Sequence, residues 1–185
     1  MTDLVDTLHA FAGLFEGLAI PYAIMGGWAV RVYALPRPTF DVDFTIVIDR
    51  DHLPELYAAA EQAGFTVPEQ YRNGWVDSVA SMPLVKFRLY LDERGIDIDI
   101  FLAESEYQMN LMERRVQHRV GNATAWFVTA EDLILLKLIA GRTRDRADID
   151  DLLIARSELD EPYLRRWAGP LGVEQRLDEV LASRE

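Results

Sequence analysis

The sequence predicts an α+β fold in which a β-sheet is flanked by helices and followed by a C-terminal helical segment. Apolar residues recur at helical spacing near the start of the chain and again through its last third. Between these regions lie short apolar runs with the alternation of strands, and one short polar turn separates two of them. We therefore divide the chain into residues 1–128, which hold the predicted strands, and residues 129–185, which are predicted to be helical.

The helices are predicted from amphipathic patterns and from the glycines and prolines that end them. In order they cover residues 4–18, 28–35, 52–63, 104–114, 129–141, 145–157, 161–168 and 172–183. Asp49 or Asp51 is predicted to cap the third helix, and Thr129 the helix that Gly141 ends.

The strands are predicted from period-2 alternation of apolar residues. They cover residues 22–25 and 42–48, the runs 85–91 and 96–100, and two short strands that meet at Gly121-Asn122. The runs 85–91 and 96–100 form a hairpin in this interpretation, with Asp92-Glu93-Arg94-Gly95 as its turn. Residues 65–82 show no clear pattern.

Two aspartates share one face of the strand near residue 42. Asp41 and Asp43 stand two apart in an apolar run, so alternation directs both carboxylates to the same side. Two carboxylates on one face repel each other unless a cation lies between them. Hard oxygen ligands of this kind suit Mg²⁺, which proteins hold with one or two carboxylates plus substrate phosphates.

A glycine pair precedes these aspartates. Gly26-Gly27 follows the short apolar segment 22–25 and opens a helical pattern. Glycine lets the backbone turn sharply and approach a ligand closely, and free N–H groups at a helix start attract phosphate. The pair therefore predicts a phosphate-binding turn beside the carboxylates.

These elements resemble the signature of the nucleotidyltransferase superfamily, the polymerase-beta-like fold. The form Gly-Gly-x-Ala…Arg-x-Thr-x-Asp-x-Asp-Phe, here Gly26 to Phe44, is similar to that of small bacterial nucleotidyltransferases of the abortive-infection toxin type. The late segment Glu131 to Ile149, with Lys137, Arg142, Arg144 and Asp145, is similar to theirs as well. The resemblance implies a mixed sheet, a catalytic domain in residues 1–128, and bound Mg²⁺, with Mn²⁺ as an alternative.

The resemblance also implies a third carboxylate that activates an acceptor hydroxyl and completes the metal site. Asp97 and Asp99 are the candidates on the second hairpin strand, and Asp99 matches the family position better. Asp41, Asp43 and Asp99 are thus the predicted catalytic and metal-binding residues. The predicted nucleotide-binding residues are Gly26, Gly27, Arg37, Thr39 and Lys137.

Each of these residues also has an explanation that involves no function. The aspartates alternate with apolar residues, as they do on the solvated face of any half-exposed strand. Lys137 interrupts an apolar helix, where a lysine either extends to water or pairs with triphosphate oxygens or with Asp145 or Asp148. Arg37 either contacts a phosphate or lies on the surface of a proline-bracketed loop.

Composition narrows the function classes. The 185 residues include no cysteine, which excludes disulfides and thiolate chemistry, and no apolar run is long enough for a membrane span. The start of the chain is acidic, unlike that of a signal peptide, so we expect a cytoplasmic protein. The net charge of −12 disfavours generic binding of polyanions.

The predicted function is transfer of a nucleoside monophosphate from an NTP to an acceptor hydroxyl on RNA such as tRNA, on a protein or on a small molecule. The resemblance adds a hypothetical role as the toxin of a toxin–antitoxin pair, with an antitoxin protein as partner. The alternatives are a non-catalytic binding member of the fold and an antibiotic-modifying enzyme.

Overall fold

A computed structural model describes residues 4–91, 94–156 and 158–183 of the chain. The helices are α1 Leu4–Gly17, α2 Gly26–Tyr33, α3 Leu53–Gln62, α4 Glu69–Arg72, α5 Glu106–Arg114, α6 Ala130–Ala140, α7 Thr143–Ala155, α8 Glu161–Ala168 and α9 Glu174–Ala182. The strands are β1 Tyr22–Ile24, β2 Asp41–Ile46, β3 Asp77–Val79, β4 Met82–Leu91, β5 Arg94–Leu102, β6 Val116–Val120 and β7 Ala123–Phe127.

The strands form one seven-stranded mixed sheet in the order β3-β4-β5-β2-β1-β7-β6. The pairs β2–β5 and β1–β7 are parallel, and the other pairs are antiparallel. The predicted α+β class with helices flanking a mixed sheet is therefore confirmed. None of the helices in the described ranges is long and apolar enough to cross a membrane.

One face of the sheet is covered by α1. The ring of Phe11 lies 5.9 Å from that of Phe44 on β2 and 5.3 Å from that of Phe87 on β4. Because side chains alternate along a strand, the neighbours of Phe44 on β2 point to the opposite face. Asp41 and Asp43 therefore lie on the face turned away from α1.

The helices after residue 129 share the core of the sheet. Leu133, Ile134 and Leu135 of α6 are fully buried, and α6 contacts α2, α7 and α8. The hydroxyl of Thr129 accepts a hydrogen bond from the N–H of Asp132, and Gly141 ends α6 in the left-handed region at φ 64°. Both predicted ends of this helix are confirmed, and the boundary at 128/129 stays a prediction.

Several predicted details differ from the structure. Asp49 and Asp51 make no capping hydrogen bond to α3, because a 3₁₀ turn over Arg50–His52 precedes that helix. The predicted hairpin turn is too long, because Arg94 and Gly95 pair with Leu91 and Tyr90 inside the ladder. The remaining turn residues, 92 and 93, lie outside the described ranges. Residues 65–82 contain α4 and β3.

Candidate active site

A cleft of about 670 Å³ opens on the sheet face away from α1. Its walls come from the start of α2, the loop before β2, strands β2, β4 and β5, the β3–β4 turn, and the facing parts of α6 and α7. Among the residues predicted for the site, those that line the cleft are Gly26, Gly27, Arg37, Asp41, Asp43, Asp99 and Lys137. Thr39 lies beside the cleft wall, within reach of Asp41.

The parallel pairing of β2 and β5 brings the carboxylates together. Asp43 lies directly opposite Asp99, and Asp41 lies opposite Asp97. Asp99 lines the cleft, whereas the side chain of Asp97 is 60% exposed and pairs with Arg88. Of the two candidates for the third carboxylate, the structure thus brings Asp99 to the cleft.

The glycine pair allows the backbone to pass close to these carboxylates. Gly26 has a φ of 61°, in the left-handed region, and a Cβ built on it would overlap the carboxylate of Asp43. A Cβ on Gly27 would lie 2.6 Å from Oγ1 of Thr39. The Thr39 hydroxyl in turn donates to Oδ1 of Asp41 at 2.8 Å. Any larger residue at either glycine would displace a predicted site residue.

Asp43 lies in an unfavourable place for a negative charge. Its burial raises its pKa, and the nearby charges of Asp41 and Asp99 raise it further, to about 7. Arg142 and Lys137 oppose this shift. A bound cation would favour the charged form of Asp43.

Lys86 on β4 faces Asp99 across the hairpin. Its Nζ lies 3.1 Å and 3.0 Å from the two carboxylate oxygens. Burial raises the pKa of Asp99, and the hydrogen bond and charge of Lys86 oppose that rise. Lys86 therefore holds the Asp99 carboxylate in place and keeps it more acidic than burial alone would.

A chain of ion pairs forms the wall opposite the hairpin. Arg37 donates to both oxygens of Asp148 at 2.6 Å and 2.8 Å. Nζ of Lys137, which is only 4% exposed, lies 2.5 Å from Asp148 and 3.3 Å from Asp145. Arg142 donates to Asp145 at 2.7 Å. Lys137 thus pairs with the two carboxylates named as its alternative partners, and Arg37 is anchored to α7.

The chain of ion pairs leaves a positively charged surface on the cleft. It contains three cations and two carboxylates, and Arg142 adds its partly exposed guanidinium to the cleft. Arg144 also lines the cleft and donates to the carbonyl oxygen of Pro38 at 2.8 Å. Such a wall, beside the turn at Gly26-Gly27, suits the oxygens of a polyphosphate.

Two of the three predicted carboxylates are placed to hold a Mg²⁺ ion. Asp41 and Asp43 supply hard oxygens on one strand face, and the raised pKa of Asp43 marks a place where positive charge is lacking. Over the described ranges, no three carboxylate, histidine or cysteine side chains are arranged to hold a metal ion. Since Asp99 is bonded to Lys86, the ion would be held by Asp41 and Asp43, with substrate phosphates completing its coordination.

Sequence reasoning missed the role of Lys86 and the β3–β4 turn. A four-residue hairpin turn would place Leu91 opposite Ile96, whereas the observed register places Leu91 opposite Arg94 and Lys86 opposite Asp99. Pairing the two runs with Leu91 opposite Arg94 would have placed Lys86 opposite Asp99.

Comparisons with known proteins agree on the fold. No protein-family model matches the sequence, and no curated protein matches it. Among solved structures, an antigenic nucleotidyltransferase-like protein from Paracoccidioides brasiliensis is 18% identical with a TM-score of 0.57, over 96% of this chain and 92% of that one. ANT(2")-Ia in complex with adenylyl-2"-tobramycin is 14% identical with a TM-score of 0.58, over 90% and 95%.

A third similar structure is the lincomycin-bound lincosamide antibiotic adenylyltransferase LnuA. It is 18% identical with a TM-score of 0.51, over 78% of this chain and 93% of that one. Together these likenesses show that the chain has the nucleotidyltransferase fold. At these identities they define the architecture around the cleft and not its substrates.

Proposed function

We propose that this protein is a Mg²⁺-dependent nucleotidyltransferase that transfers a nucleoside monophosphate from an NTP to an acceptor hydroxyl. The observation that carries the proposal is one cleft that unites Asp41, Asp43 and Asp99 with the Gly26-Gly27 turn and a cationic wall. These are the parts that phosphoryl-type transfer requires, since such catalysis rests on positioning and on neutralising charge.

In the proposed reaction, the acceptor oxygen attacks the α-phosphorus of the NTP and forms a new P–O bond. The bond between the α-phosphorus and the oxygen that bridges to the β-phosphorus breaks, and pyrophosphate leaves. Asp99 takes the proton of the attacking hydroxyl, and Lys86 holds its carboxylate toward the cleft. When bound, the metal ion supplies positive charge to the phosphate oxygens.

The cationic wall would position the triphosphate. Arg142 and Arg144 reach the cleft, and Lys137 supports Arg142 through Asp145. The Gly26-Gly27 turn gives the phosphates access to backbone N–H groups at the start of α2. Arg37 and Thr39 act on the substrate indirectly, because Arg37 fixes the loop to α7 and Thr39 orients Asp41.

The first test is thermal unfolding with each of the four NTPs, with and without Mg²⁺ or Mn²⁺. An NTP at about 100 times its dissociation constant stabilises the folded state by roughly 2.7 kcal/mol, which is a shift of several degrees. We expect a metal-dependent shift in the wild type and none in Asp41→Ala/Asp43→Ala. Asp97→Ala, outside the cleft, is the matched control and keeps the shift.

A second measurement separates binding from catalysis. Asp99→Asn is expected to keep the metal-dependent NTP shift and to lose pyrophosphate release in the presence of acceptor, because only the proton acceptor is removed. No NTP shift with any nucleotide would favour the non-catalytic alternative. Full activity in Asp41→Ala would contradict the assignment of the metal site.

Among the acceptors, we propose a small molecule by analogy with two of the similar structures. ANT(2")-Ia is bound to adenylyl-2"-tobramycin and LnuA is bound to lincomycin, and both have the fold of this chain. The toxin role and the antitoxin partner rest on the resemblance of the sequence alone. An adjacent gene for a small DNA-binding protein would support the toxin role, whereas a resistance cassette would support antibiotic modification.

A further inference from the structure

The cleft has two unlike sides. The phosphate side contains the Gly26-Gly27 turn and the cations of the α6–α7 wall, together with apolar residues of α6. The cations are Arg37, Lys137, Arg142 and Arg144, and the apolar residues are Leu133, Leu136, Ile139 and Ala140. The other side is formed by the β3–β4 hairpin, which is distinct from the β4–β5 hairpin described above. Its apolar residues are Val79, Ala80 and Met82, and they lie next to Phe101 of β5. We call these three hairpin residues the apolar wall.

The direction of the proposed reaction assigns a substrate to each side. In phosphoryl-type transfer the attacking and leaving oxygens lie roughly in line through the phosphorus, so acceptor and pyrophosphate occupy opposite sides of it. The triphosphate belongs on the phosphate side. The sheet order β4-β5-β2 places Asp99 between Asp43 and Lys86, so the acceptor lies toward β4 and the apolar wall.

The acceptor side offers little to attract a polyanion. Within the described ranges, the cation that the hairpin strands add to the cleft lining is Lys86, and both oxygens of Asp99 already bind it. Val79 instead presents an apolar side chain at the cleft that is 43% exposed. A nucleic acid would need free basic side chains along its backbone.

Two arginines of the basic cluster outside the cleft also contact other groups of the protein. Arg114 lies near Glu131 and Asp132 and stacks over Tyr163. Arg115 donates to the carbonyl oxygen of Met112, and its guanidinium lies 4.8 Å from the ring of Trp126. The net charge of −12 likewise disfavours generic binding of a polyanion.

The turn that carries the apolar wall has an unusual backbone. Ala80 and Ser81 have φ values of 52° and 64°, a region that residues other than glycine seldom adopt. Ala80 and Ser81 are the two residues between the paired Val79 and Met82, and a two-residue type I′ hairpin turn requires positive φ at both positions. The turn therefore holds Val79 and Met82 opposite each other at this edge of the cleft.

We propose that the acceptor is a small hydroxyl compound with an apolar or aromatic part, which packs on Val79, Ala80 and Met82 while its hydroxyl reaches Asp99. This rests on the proposed function, and it excludes RNA as the acceptor. The acceptor hydroxyl loses its proton to Asp99, its oxygen bonds to the α-phosphorus, and pyrophosphate leaves.

The test uses the methyl resonances of ¹³C-methyl-methionine protein. Met82 reports on the apolar wall, and Met109 on α5, 41% exposed and outside the cleft lining, is the internal control. The probes are phenyl β-D-glucoside, 2-phenylethanol and cyclohexanol, compared with a decamer of uridylate. Each is titrated with saturating Mg²⁺ and the α,β-methylene analogue of each of the four NTPs.

We expect at least one small probe to shift Met82 and not Met109 while the nucleotide analogue stays bound. Val79→Asp should weaken that probe about tenfold or more, because a charge then faces its apolar part. Val116→Asp, on the exposed edge strand β6, is the matched control and should leave the affinity unchanged. Both variants should keep the metal-dependent NTP shift.

Three results would overturn the proposal: no Met82 shift with any small probe, a Met82 shift with the uridylate decamer, or displacement of the probe by the nucleotide analogue. The last result would make the apolar wall a nucleobase site. If the metal-dependent NTP shift is itself absent, the proposed function fails. If that shift is present and Met82 does not respond, only the inference about the acceptor fails.

Discussion

Asp43 is the residue at which stability and the proposed chemistry conflict most directly. Its carboxylate is buried and lies near the charges of Asp41 and Asp99. Without a bound cation the fold therefore bears the cost of holding this charge. Such an unfavourable placement is typical of functional sites, where its cost is compensated by stabilising interactions elsewhere in the fold.

Replacing Asp43 should consequently stabilise the metal-free protein. The unfolded chain releases this proton near pH 4 and the folded chain only near pH 7, so the free energy of unfolding falls as pH rises between these values. At pH 8 without metal, Asp43→Asn should be more stable than the wild type by about 1–3 kcal/mol. The difference should vanish near pH 4. Urea unfolding at both pH values measures it.

The control for this prediction is Asp97→Asn, which neutralises an exposed aspartate of β5 paired with Arg88. Its effect should stay below about 1 kcal/mol, as for other surface ion pairs. Equal stabilisation by both variants would mean that the effect arises from the net charge of the molecule and not from the environment of Asp43.

Gly26 should tolerate no side chain. In Gly26→Ala the new Cβ meets the Asp43 carboxylate, and the backbone stays at a φ of 61°, so we expect a loss of about 2 kcal/mol or more and loss of the metal-dependent NTP shift. Gly13→Ala in α1 is the matched control, since a Cβ there meets nothing within 4 Å. Helix propensity predicts that it stabilises by about 0.5–1 kcal/mol. Similar losses in both variants would refute the steric explanation.

At the scale of elements, the chain of ion pairs connects three parts of the cleft. Arg37 in the loop before β2 binds Asp148 on α7, and Lys137 on α6 binds both Asp148 and Asp145. Burial alone would raise the pKa of Asp148, but hydrogen bonds from Arg37 and Lys137 outweigh burial and lower it. Arg142 and Lys137 lower the pKa of Asp145 in the same way.

Lys137→Met should therefore destabilise the protein by about 3 kcal/mol at pH 7, because it leaves buried carboxylates short of a partner. The sign of the pH dependence follows from the lowered pKa values of Asp145 and Asp148. Their stabilisation is complete above the ordinary aspartate pKa and is lost as pH falls through the folded values. The cost of Lys137→Met should hence shrink toward pH 2 in urea unfolding.

The exposed pairs of Arg165 with Glu161 and Asp178 provide the control. Arg165→Met should cost much less than Lys137→Met at pH 7, since water screens both charges. A cost for Lys137→Met no larger than this would show that the ion pairs at Lys137 contribute little to the stability of the wall.

Much of this arrangement of helices and strands can be predicted from local sequence patterns, but the pairing of distant elements cannot. Alternation places Asp41 and Asp43 on one strand face, and the Thr129 and Gly141 signals fix the ends of α6. The pairing of β2 with β5, which brings Asp99 beside Asp43, joins strands distant in sequence. No local rule specifies which parallel strands pair, and the Arg37–Asp148 bond likewise joins residues distant in sequence, so both depended on the folded structure. The Lys86–Asp99 pair was missed because the predicted register of the hairpin was shifted.

At the scale of the molecule, the cleft is shared between the two predicted regions of the chain. The carboxylates come from residues before 128, whereas Lys137, Arg142 and Arg144 come from residues after it. The core is shared in the same way, since Leu133 and Ile134 of α6 are fully buried with the residues of the sheet. The helical segment therefore completes both the core and the proposed phosphate site.

We accordingly expect the described part of the chain to unfold in one cooperative step. In a variant that keeps Trp28 alone and one that keeps Trp167 alone, the fluorescence midpoint in urea should coincide with the circular dichroism midpoint of the same variant. Trp28 reports on α2 and Trp167 on α8, both of them buried. A chain ending at residue 128 should show no cooperative transition, because it lacks the apolar surface of α6 that covers the sheet. An earlier fluorescence midpoint at Trp167, with a folded 1–128 fragment, would instead define two independent domains and make the cleft an interface between them.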